Sequence, residues 1–116
     1  MDDTEPNPDV TDVIRLLDDD CARQILIETM NESLSANELE DRCGVSEPTI
    51  YRRLEELREH GLVDEGTQVA ADGHHYSVYR AALDRVEVDL TESGLDITIT
   101  KREGMADRFT DFIEGI

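Results

Sequence analysis

Apolar residues in this chain recur at helical spacing as far as Leu57 and at every second position beyond Leu62. A period near 3.6 puts one apolar stripe on a helix, and a period of two puts one apolar face on a strand, so this change of spacing divides the chain. It predicts an α+β domain, with helices first and antiparallel hairpins after them. A length of 116 residues suits one domain with one modest core and leaves no room for a large pocket between domains.

Residues 1–8, "MDDTEPNP", read as a flexible lead-in. Val10, Val13, Ile14 and Leu17 stand at i, i+3, i+4 and i+7, one stripe of a short first helix. An aspartate of Asp18 to Asp20 is placed to cap a second helix, which turns Ala22, Ile25, Leu26 and Met30 inward. Ser35 and Glu38 have the spacing of a capping box for a third helix over 36–43, with Leu39 and Cys43 apolar and Gly44 as its left-handed stop. Ser46 caps a fourth helix, Pro48 suits its first turn, and Ile50, Leu54 and Leu57 form its buried stripe up to Gly61. Beyond it, "VDEGTQV" and "HHYSVY" flank the turn "AADG". A second hairpin over 85–102 alternates Val86, Val88 and Leu90, turns at "TESG", and alternates Leu95, Ile97 and Ile99. Met105, Phe109, Phe112, Ile113 and Ile116 give the C-terminus the spacing of an amphipathic helix.

The chain carries 29 acids against 11 bases, a net charge of −18, and ten of the bases are arginine. Such self-repulsion needs screening, and acids spread along the chain suit a protein of molar salt, where the Debye length is about 3 Å. A disordered acidic chain is disfavoured by the periodic apolar stripes. Locally the balance shifts. From Arg42 to Leu62 four arginines (42, 52, 53, 58) meet four glutamates (47, 55, 56, 59), whereas residues 1–20 hold eight acids and one arginine.

No run of about 18 apolar residues is present, so neither a membrane span nor a secretory leader is expected, and the reading is cytoplasmic. Cys21 and Cys43 are too few for a disulfide framework or zinc cluster; both are expected to be reduced, with a redox role for Cys21 a minor option. His74 and His75, even with Asp72 nearby, lack a further ligand for a metal. No paired carboxylates, Ser–His–Asp spacing or glycine-rich phosphate loop stands out, so no enzyme, cofactor or small-molecule partner is expected.

Two short helices joined by "CGVS", the second followed by a β-ribbon, have the order of a winged helix-turn-helix. With Ile50, Leu54 and Leu57 inward, Glu47, Pro48, Tyr51, Arg52 and Glu55 point outward on a helix of the size a major groove admits. Here "LLDDDCARQILIETM" and "LSANELEDRCGVSEPTIYRRLEELREHGLV" resemble the ArsR-like winged-helix regulators found in archaea, over about residues 13–80. The resemblance implies a homodimer on double-stranded DNA, a recognition helix over about 46–60 in the major groove, and a wing over about 63–80 near an adjacent groove.

Carried onto this chain, Arg52 suits a bidentate contact to guanine, Arg53 and Thr49 phosphate, Tyr51 a thymine methyl or phosphate, and Glu47 cytosine. Ser46 and Pro48 complete the helix start, and His74 and His75 of the wing suit the DNA backbone. The plainer alternative for the arginines is a solvated face paired with Glu55, Glu56 and Glu59. The wing tip lacks the family's usual base, and Arg80 is the substitute on offer. Residues 9–82 then form the DNA-binding domain. Residues 83–116, hairpin plus terminal helix, form a dimerisation extension outside the usual family pattern. Val10, Val13, Ile14, Leu17, Met105, Phe109, Phe112 and Ile113 are the candidate dimer contacts, more apolar surface than one small domain readily hides. The competing reading is a winged-helix protein–protein module of transcription or recombination machinery.

Overall fold

A computed structural model of the chain describes residues 10–102. The lead-in over 1–8 and the expected terminal helix with Met105, Phe109, Phe112 and Ile113 lie outside the described residues. Four helices precede four strands: α1 (Val10–Asp18), α2 (Asp20–Glu28), α3 (Ala36–Cys43), α4 (Glu47–Glu59), β1 (Val63–Val69), β2 (His75–Ala81), β3 (Leu83–Thr91) and β4 (Gly94–Lys101). The expected α+β class, a winged helix-turn-helix with an added hairpin, is the fold observed.

The helix ends form largely as the side chains dictate. Asp19 caps α2, its Oδ2 accepting from the Ala22 N–H at 2.8 Å. Ser35 and Glu38 exchange both bonds of a capping box at the start of α3. Gly44 ends α3 at φ 69°, left-handed backbone that glycine adopts without a Cβ penalty. Ser46 differs from expectation. It occupies the cap position of α4, yet its hydroxyl meets the Thr49 hydroxyl at 3.1 Å and no backbone N–H.

Ile50, Leu54 and Leu57 of α4 are buried, as their spacing predicts, and pack with Ile25, Leu39, Leu62 and Tyr79 in one core. In α1 the inward pair is Val13 and Leu16, while Ile14 is 44% exposed and Leu17 half-buried. Neighbouring positions on a helix lie about 100° apart, so a helix seated on α2 by Val13 and Leu16 turns Ile14 outward and leaves Val10 and Leu17 half-buried at its flank. In α2, Met30 lies past the helix end and is 40% exposed; Thr29 is buried instead, its hydroxyl donating to the Ile25 carbonyl at 2.7 Å.

β1 and β2 pair antiparallel from Val63↔Ala81 to Val69↔His75. Leu34 adds a bridge to Tyr79, with bonds of 3.0 and 2.8 Å in the two directions. This short third rung stitches the α2–α3 link to the wing. β3 and β4 form a separate hairpin that places Val86 opposite Ile99, Val88 opposite Ile97 and Leu90 opposite Leu95, with an irregularity between Leu83 and Arg85. Ala82 alone joins the two hairpins. It is buried, its N–H donates to the Leu62 carbonyl at 2.9 Å, and its carbonyl accepts from the Arg102 N–H at 2.7 Å.

Candidate nucleic-acid interface

α4 sits on the core by its apolar stripe, so its remaining positions are set by geometry alone. Glu47, Pro48, Tyr51, Arg52 and Glu55 are exposed, the outward set expected from the sequence, and Thr49 is half-buried. The charges on this helix are then sorted by local pairing. Glu55 pairs with Arg58 at 3.0 Å, and Arg58 also reaches Glu65 of β1 at 3.7 Å. Glu56 pairs with Arg53 at 3.3 Å. Arg52 makes no ion pair among the described residues, while Glu55 and Glu56 are engaged by Arg58 and Arg53. Of the two arginines, Arg53 is therefore acid-paired and Arg52 is not.

Arg53 belongs to a different structure from the one expected. Its side chain is three-quarters covered, and its Nε donates to Asp19 Oδ2 at 3.0 Å. Asp19 thus caps α2 and holds α4 with the same oxygen. Burial by itself would push the Asp19 carboxyl up, but hydrogen bonds from Arg53 and the Ala22 N–H together hold it below its ordinary value. Arg53 thus ties α2 to α4, a contact that the sequence did not suggest.

On the wing the turn closes by Ala70 N–H to the His74 carbonyl at 2.7 Å and Gly73 N–H to the Ala70 carbonyl at 2.9 Å. His74 is held by Asp72, which accepts its backbone N–H at 3.0 Å and approaches Nδ1 at 2.9 Å. His75 is exposed at the start of β2. Arg80, the possible substitute for a basic tip, donates to the Asn31 carbonyl at 3.2 Å and is directed to the helical body. The wing therefore presents no lysine or arginine at its tip.

The structure brings Tyr51, Arg52 and the first turn of α4 together on one open face; His74 and His75 stand apart from them on the wing. A cleft of about 700 Å³ between the start of α3, the start of α4 and β2 is lined by Glu38, Glu47, Tyr51, Tyr76 and Tyr79 among others. Sequence reasoning missed Tyr76, Tyr79 and Glu38 as neighbours of the outward face of α4. The missing signal was the Leu34 bridge, which sets where β2 stands against α3 and has no periodic pattern of its own.

Val13, a candidate dimer contact, is fully buried within its own chain and is removed from that set. Burial pushes the Cys43 thiol up to about 11, with Cys21 and Glu28 adding, and burial likewise raises Cys21. Both thiols are therefore protonated and weakly nucleophilic at neutral pH, against the lowered pKa that would favour a redox role for Cys21. Among the described residues no group of three or more His, Cys, Asp or Glu is arranged to hold a metal, and no helix is long and apolar enough to cross a membrane.

Residues 14–66 match a family model described as a helix-turn-helix domain. The matched segment runs from α1 through α4 into β1. Helix-turn-helix geometry and this match support a DNA-binding regulator. A search of curated proteins finds no match.

Proposed function

We propose that the chain is a sequence-specific transcriptional regulator of the ArsR-like, salt-adapted kind, binding DNA as a homodimer with α4 in the major groove. Arg52 carries the reading. It is exposed on the outward face of a helix whose other two arginines, Arg53 and Arg58, are both held by carboxylates. A guanidinium left open in this way retains its five donors for a base edge or phosphate. Ser46, Glu47, Pro48, Thr49 and Tyr51 surround it; His74 and His75 supply weaker backbone contacts from the wing.

Two apolar stripes support dimerisation: Val10, Ile14 and Leu17 along α1, and Val88, Leu90 and Leu95 on the second hairpin, where Leu90 is 83% exposed. A twofold dimer predicts half-sites about 34–36 Å apart. Genome-wide footprinting at native salt, repeated with Arg52→Ala, tests the reading. Discrete sites lost in the variant support it, with affinity for the best site down about fivefold to a hundredfold. Sites unchanged by the substitution argue against base reading by this helix.

One observation favours a second reading, a protein–protein module. Tyr51, Val69 and Tyr76 are large exposed apolar or aromatic side chains at or near the wing, beside a cleft lined by carboxylates. Absence of discrete genomic sites in the parent protein would support that alternative.

A further inference from the structure

Arg52 and Arg53 are consecutive on α4, so helical geometry turns them about 100° apart. Arg52 is exposed and makes no ion pair among the described residues, whereas Arg53 is three-quarters covered and held. The Arg53 Nε donates to Asp19 Oδ2 at 3.0 Å, and its Nη1 donates to Glu56 Oε1 at 3.3 Å. Asp19 is itself fixed, since the same oxygen accepts the Ala22 N–H at 2.8 Å and so caps α2. α2 in turn is seated by Ala22 and Ile25, both fully buried. A continuous path therefore leads from the core through α2 and Asp19 to α4, one residue beyond Arg52.

Ile50, Leu54 and Leu57 decide which side of α4 faces the core, but apolar contacts are not directional, and packed helices slide and roll on one another by small amounts. Two further links from α4 are longer than a hydrogen bond: Arg58 stands 3.7 Å from Glu65 and His60 3.8 Å from Asp12. The bond from Arg53 to Asp19 is short and charge-assisted, and its planar donor gives it direction. A roll of about 10° moves a point about 8 Å from a helix axis by roughly 1.4 Å. A bidentate contact to a base edge does not survive such a shift, whereas attraction between a guanidinium and a phosphate is little changed by it.

We propose that Asp19 and Arg53 are positioning residues for base reading: they fix the roll of α4, and so the point at which the Arg52 guanidinium meets a base edge, without touching DNA themselves. This role rests on α4 reading DNA, as proposed above. Closure by two carboxylates makes the Arg53 guanidinium a poor phosphate ligand, because an incoming phosphate has to displace Asp19 from it. Arg52 has no such tie to give up among the described residues.

Two affinities of the full chain test this role in molar potassium chloride: for the best site found by footprinting, and for a random-sequence duplex of equal length. Asp19→Asn and Arg53→Met should each lower the ratio of the two about fivefold or more, with the random duplex bound within about twofold of the parent. Arg53→Lys, which still reaches toward Asp19, should fall between and serves if Arg53→Met fails to fold. In an Arg52→Ala background, Asp19→Asn should alter the ratio no further, since the group being positioned is gone. A role confined to stability reduces the folded fraction and weakens both affinities by one factor. That unchanged ratio would overturn the proposal. Random DNA bound more than about twofold tighter by Asp19→Asn would also overturn it, marking the freed Arg53 as a phosphate contact. Absence of any preferred site in the parent would overturn the DNA reading and this role with it, whereas discrete sites with an unchanged ratio in the variants overturn the positioning role alone.

Discussion

The two hairpins are alike as sequences and unlike as structures. Each alternates apolar and polar residues about a short turn, yet the wing buries Val63, Val78, Tyr79 and Ala81, whereas the second hairpin buries only Ile97. The wing is anchored by a third rung at Leu34 and by packing on α4 and α2. The second hairpin meets the body mainly where β4 passes α1, and its apolar face grows more exposed toward the tip, from Ile97 through Val88 and Leu95 to Leu90. Alternation therefore specifies a face and a register, and the neighbouring elements decide whether that face is covered.

The largest expected effect tests the anchored hairpin. Tyr79→Ala removes an aromatic ring from the core and should cost about 3–5 kcal/mol, read as a lower midpoint of chemical unfolding in molar potassium chloride. A loss below about 1 kcal/mol would mean the wing is no better anchored than its neighbour. Next in size is the helical junction. Asp19→Asn weakens both the α2 cap and the tie to Arg53, and about 1–2 kcal/mol of stability should go, measured in the same way.

That junction also gives the body a pH dependence. The Asp19 carboxyl lies below its ordinary value in the folded chain, so the unfolded chain binds its proton first as pH falls. Its contribution is complete above the unfolded carboxylate range and disappears as pH drops through the lower, folded value. Comparison of acid unfolding in the parent and Asp19→Asn should show a shallower loss in the variant. Equal slopes would remove Asp19 from the account.

The smallest effect belongs to the uncovered face. Leu90→Thr should change the stability of a single chain by no more than about 0.5 kcal/mol, because the side chain is mostly in solvent already. If the face meets a second copy, light scattering should show a higher dissociation constant at that unchanged stability. A large destabilisation at concentrations where the protein is monomeric would show that the hairpin is covered within one chain.

Much of the fold was legible from the sequence because local rules agreed with the final packing. The capping box at Ser35 and Glu38, the stop at Gly44 and the stripe of Ile50, Leu54 and Leu57 depend on a few consecutive residues and were formed as read. The rotation of α1 was not legible. Val13, Ile14, Leu16 and Leu17 permit more than one inward face, and the choice rests on α2 and β4, which spacing does not reveal. The candidate site divides in the same manner. Exposure of Arg52 followed from helical geometry, but capture of Arg53 by Asp19 joins residues 34 positions apart and required the tertiary arrangement.

Ala82 gives the arrangement a mechanical character. One buried residue, hydrogen-bonded on both sides to Leu62 and Arg102, is all that separates β2 from β3. There is no slack to absorb torque between the hairpins. On the proposed reading, a second copy held on the outer hairpin would bear on the orientation of the wing beside α4 through this single link.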